Sequence, residues 1–70
     1  MTKSTEKPDW KDAPAWAMWL AQDHIGTWAW FENKPEATPR GWDYNPNFRC
    51  GRYRAAGTPD DWQDTLDQRP

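Results

Sequence analysis

The sequence contains no valine, one isoleucine and two leucines among 70 residues, which excludes a conventional aliphatic core. With a single cysteine, Cys50, no intramolecular disulfide can form. With a single histidine, His24, neither a Cys/His zinc site nor a haem ligand pair can be assembled, and no cofactor is expected. The only serine is Ser4, and Cys50 and His24 would have to leave ordinary positions to act as nucleophile and base, so enzyme chemistry is not expected. There is no glycine-rich phosphate loop of the Walker or dinucleotide type. No apolar run approaches the roughly 18 residues of a membrane span, and Met1 to Pro8 lack the apolar stretch of a secretory signal. A soluble cytoplasmic protein with no membrane partner is the expectation. The length is too short for a doubly wound sheet or a two-domain cleft.

Seven tryptophans replace the missing aliphatics. Each buried indole removes roughly 200 Å² from water, worth about 5 kcal/mol, so indoles must supply much of the folding drive. An aromatic content of 16% also argues against disorder, despite seven prolines and a mean hydropathy of −1.27. Net charge is −2 but unevenly spread. Residues 1–13 balance, 14–39 carry −2, 40–54 carry +3 and 55–70 carry −3.

Residues 1–13 are polar and read as a flexible arm, pinned at most through Trp10, with 14–67 as one small domain and 68–70 as a tail. Within the domain, Asp23-His24-Ile25-Gly26 signals a turn, since Asp opens a type I turn and Gly supplies the positive φ of a following bulge. Counting outward from Asp23 facing Thr27 predicts a hairpin that pairs Gln22 with Trp28, Ala21 with Ala29, Leu20 with Trp30 and Trp19 with Phe31. One face then holds Trp16, Met18, Leu20, Trp28 and Trp30. The other holds Trp19 and Phe31 among alanines. A helix over 15–22 is the competing reading, because Ala, Met, Leu and Gln are good helix formers.

Residues 33–47, with three prolines and no periodicity, read as a long loop, and Phe48 to Arg54 as a third strand with Gly51 as a bulge site. Thr58-Pro59-Asp60-Asp61 combines an N-cap hydroxyl, a first-position proline and acids in the first turn, which predicts a helix over about 59–67 docked through Trp62 and Leu66. The expected fold is therefore α+β: a small antiparallel sheet of about three strands with one short C-terminal helix.

Two surfaces emerge as binding candidates. Arg40, Trp42, Tyr44, Phe48, Arg49, Arg52, Tyr53 and Arg54 put four guanidinium groups and four aromatic rings into 15 residues, a combination suited to single-stranded nucleic acid. The competing account makes Phe48 and Tyr53 core and pairs the arginines with the acids Asp60, Asp61, Asp64 and Asp67. A protein interface is the other candidate, anchored by Trp16, Trp28, Trp30 and Trp42, because a short helix covers only one sheet face. Self-association into a homodimer would use the same indoles.

The arrangement Trp16-Ala17, then Ala21-Gln22-Asp23-His24-Ile25-Gly26-Thr27-Trp28-Ala29-Trp30-Phe31-Glu32, Pro35 and Asp61-Trp62-Gln63-Asp64-Thr65-Leu66 resembles a group of small uncharacterised tryptophan-rich proteins encoded by bacteriophages and prophages, over residues 16–66. The resemblance transfers no catalytic residue. It implies a small accessory protein that binds and modulates or inhibits a host protein, host defence factors included. A second, architectural resemblance is to WW domains, with Trp16 and Trp42 as the paired tryptophans around Gly26 and Trp28-Ala29-Trp30-Phe31, which would imply binding of proline-rich peptides. The aromatic pair, the wider tryptophan spacing and the lack of a proline after Trp42 before Pro46 depart from that pattern.

Overall fold

The computed structural model describes residues 7–55 and 60–70. Strands β1 (Trp19–Gln22) and β2 (Thr27–Phe31) form the predicted hairpin, with the predicted register of Trp19 to Phe31, Leu20 to Trp30, Ala21 to Ala29 and Gln22 to Trp28. The turn works as its chemistry requires. Asp23 Oδ1 accepts from the N–H groups of Ile25 (3.0 Å) and Thr27 (3.1 Å), its carbonyl accepts from Gly26 at 2.9 Å, and Gly26 takes a φ of 91° that a side chain would resist. Residues 15–22 are not helical, so the hairpin prevails there.

The third strand also forms, as β5 (Cys50–Ala55) alongside β2, although the register shift lies opposite Thr27 and Ala29 instead of at Gly51. Residues 33–47 are not wholly loop. They contain β3 (Glu36–Thr38) and β4 (Gly41–Asp43), a short second hairpin in a sheet of its own. The main sheet gains a fourth strand, β6 (Asp67–Gln68), and runs in the order β5-β2-β1-β6.

The α+β expectation is overturned. Among the described residues there is no α-helix, only single 3₁₀ turns at Trp10–Asp12 and Trp62–Asp64. Thr58 and Pro59, the expected cap, lie outside the described residues. Asp61, which does precede the turn, makes no side-chain capping bond. A helix of about nine residues lacks stability of its own, and here the chain satisfies the open edge of β1 instead. The Thr65 hydroxyl accepts the Gln22 N–H at 2.8 Å and lies 2.6 Å from the Trp62 carbonyl, closing the turn, and Asp67 and Gln68 then pair with Leu20 and Trp19. Nor do the strands form a three-stranded WW-like sheet, since Trp16 precedes β1 and Trp42 sits in the separate hairpin.

Tryptophan builds the core. Ala17, Leu20, Trp28 and Trp30 are buried together, with Trp10, Ala13 and Trp16 packed against them. Trp10 crosses Trp30 with ring centroids 5.1 Å apart, its indole N–H donates to Asp67 at 3.0 Å, and the Arg69 guanidinium lies over its ring. Packing therefore begins before residue 14 and extends past 67, because Arg69 also donates to the carbonyls of Pro14 and Ala17. On the opposite sheet face the second hairpin and Tyr44 lie over β1 and β2. Tyr44 packs on Phe31, and Trp42 donates its indole N–H to the Gln22 carbonyl.

Candidate functional site

Trp28 and Trp30 are only 4% and 3% exposed, so neither can anchor a partner in the folded chain. The segment from Trp10 to Trp16, read in the sequence partly as an arm, covers the face they occupy. Trp16 is half-buried against the same core. Trp42, also half-buried, meets the edge of Trp62 at 5.9 Å while its N–H is committed to Gln22. Among the interface candidates, the indoles thus serve mainly as packing.

The Arg/aromatic segment behaves differently. Tyr44, Phe48 and Tyr53 are 43%, 42% and 40% exposed, and Arg40, Arg49, Arg52 and Arg54 are exposed too. The account that makes Phe48 and Tyr53 core does not hold. Nor do the C-terminal acids take up Arg40, Arg49 or Arg52 in ion pairs among the described residues, where Asp67 pairs with Lys7 at 2.6 Å and Asp9 with Lys11 at 4.0 Å. Hydrogen bonds from Lys7 and Trp10 hold the Asp67 carboxyl below the usual aspartate range, burial opposing them.

Strand alternation sorts the segment onto two faces. Tyr53 points to the core side, edge-on to Trp30 at 5.9 Å, with the Arg54 guanidinium 5.5 Å from its ring centre. Cys50 and Arg52 point to the other side, where Arg52 stands opposite Ala29. There the main sheet and the second hairpin enclose a pocket of about 220 Å³, bordered by Ala29, Arg40, Trp42, Tyr44, Cys50 and Arg52 and by Asp23 and His24 of the first turn. Burial pushes the Cys50 thiol up, against a hydrogen bond from Tyr44 and the charge of Arg52.

His24 and Ala29 were not legible as site residues. They lie far from 40–54 in the chain: pairing of β2 with β5 sets Ala29 opposite Arg52, and the second hairpin meets His24 at Gly41. No metal-holding group of three or more His, Cys, Asp or Glu occurs among the described residues, and none of their helices is long and apolar enough to cross a membrane. No family model, curated protein or solved structure matches the chain.

Proposed function

We propose that this protein is a small non-enzymatic binding module of the phage accessory type, which engages and modulates a host protein in the host cytoplasm. The observation that carries this reading is the exposure of Tyr44, Phe48 and Tyr53 among the guanidinium groups of Arg49, Arg52 and Arg54, on and beside an edge strand. Tyrosine and arginine are the residues that dominate protein interfaces, because each offers a large rigid contact area with a polar end. A chain this short of large apolar groups has little reason to leave three rings in water otherwise. The resemblance of the tryptophan-led pattern to small phage-encoded proteins is what suggests the host setting.

Single-stranded nucleic acid is the second reading, favoured by one observation: Arg40, Arg49 and Arg52 make no ion pair among the described residues. Against it stands the net charge of −2, which gives no whole-molecule attraction to a polyanion.

The experiment is capture from nuclease-treated bacterial lysate by the tagged chain, compared with Phe48→Ala and Tyr53→Ala. Reproducible recovery of one protein by the wild type, lost in both folded variants, is the expected result. Recovery unaffected by both variants would refute this surface. Retention of oligonucleotides only, with affinity falling steeply between about 50 and 200 mM salt, would transfer the surface to nucleic acid.

A further inference from the structure

The pocket between the two hairpins has a composition that the partner-binding surface does not explain. Two guanidinium groups, Arg40 and Arg52, and one imidazole, His24, border it, against one carboxylate, Asp23. The Oδ1 of that carboxylate is already taken by the N–H groups of Ile25 and Thr27. The pocket is therefore biased toward an anion, and a guanidinium is the side-chain group best suited to bind phosphate oxygens in pairs.

The rest of its lining is Ala29, Gly41, Trp42, Tyr44 and Cys50. Ala29 is a small residue on the same face of β2 as Thr27 and Phe31, and the rings of Trp42 and Tyr44 border the same space. Those rings are held in place, Trp42 by its bond to Gln22 and Tyr44 by packing on Phe31. Gly41 lies beside the His24 ring, whose Nδ1 is 3.6 Å from where a Cβ would stand, an ordinary contact distance. Gly41 also has a φ of 151° that disfavours a side chain. The volume of about 220 Å³ lies below the ~300–1,000 Å³ of pockets that enclose larger ligands, which suits one small molecule partly inserted.

We propose that this pocket binds a free nucleoside monophosphate, its base against Trp42 and Tyr44 over Ala29 and its phosphate between Arg40 and Arg52. The site uses arginine side chains in place of the glycine-rich loop that the sequence lacks. It shares Tyr44 and Arg52 with the partner surface, but the residues that test that surface, Phe48 and Tyr53, do not border the pocket, so the two readings fail separately.

The test is titration of the nitrogen-labelled full chain with adenosine monophosphate, followed by amide and indole N–H shifts. Saturable shifts are expected at His24, Ala29, Gly41, Arg52 and the Trp42 indole. Adenosine and inorganic phosphate alone should each bind roughly tenfold or more weakly, since each keeps half of the contacts. Arg40→Gln and Arg52→Gln should each weaken binding by a similar factor with the remaining spectrum unchanged. Absence of saturable shifts at millimolar nucleotide would overturn the proposal. So would inorganic phosphate binding as tightly as the nucleotide, or unchanged affinity in both arginine variants. Tighter binding of a phosphorylated trinucleotide would overturn the assignment to a free nucleotide. The wild-type comparison of adenosine, phosphate and nucleotide decides the matter even if a variant fails to fold.

Discussion

The indole N–H of Trp42 donates to the main-chain carbonyl of Gln22 at 2.8 Å, at the point where β6 no longer accompanies β1. Beyond Leu20 the edge of β1 has no strand partner on that side, so its polar groups need others. Trp42 supplies the donor and Thr65 the acceptor, and the second hairpin is thereby tied to the first.

Trp42→Phe should cost about 1–2 kcal/mol, because much of the ring packing is kept while the Gln22 carbonyl loses its indole donor. Urea denaturation measures it. A change near zero would mean that the second hairpin is held by ring packing alone.

Trp30→Ala should cost about 3–5 kcal/mol and leave so small a domain largely unfolded, since the indole is buried against Trp10 and Leu20. Tyr53→Ala should cost less than about 1.5 kcal/mol, because an exposed ring leaves no closed cavity. Equal costs in denaturation would contradict the placement of these two rings.

Thr65→Val keeps the shape of the side chain and removes the acceptor of the Gln22 N–H, and should cost about 1–3 kcal/mol. Backbone shifts of the wild type should be extended at 67–68, with helical values confined to the single turn at 62–65. Helical shifts continuing through 66–68 would restore the C-terminal helix.

Asp67 has its carboxyl held low by Lys7 and Trp10. A carboxyl lower in the folded than in the unfolded chain favours folding above the unfolded value near ~3.9, and that contribution disappears as pH falls through the folded value. Stability should therefore fall on acidification below about pH 4, and less steeply in Asp67→Asn. The substitution itself should cost about 1 kcal/mol at neutral pH, because the pair with Lys7 is largely solvated. Identical acid limbs in the two proteins would show that Asp67 does not contribute.

The first hairpin was legible down to its register because everything that specifies it is local. Asp23 and Gly26 set the turn, and period-2 alternation carries the pairing outward for four residues on each side. The same local chemistry misled at 58–67, where capping signals described a helix that a nine-residue segment cannot sustain against pairing with a vacant strand edge. Of the candidate site, the exposed Arg/aromatic segment was legible from composition. The burial of Trp28 and Trp30 was not, since it depends on residues 10–16 folding back over them.

By itself, then, the sequence determined a tryptophan-built core, the β1–β2 hairpin with its register, the β5 strand and the concentration of arginine and aromatic residues in 40–54. These follow from turn stereochemistry, strand alternation and composition, which act over a few residues at a time. Tertiary structure alone decided which sheet face each covering segment took, that the chain end became β6, and that Ala29 and His24 border a pocket with Arg40 and Arg52. Those outcomes depend on burying indoles and satisfying the open edge of β1 through contacts between distant segments, a competition that no local pattern encodes.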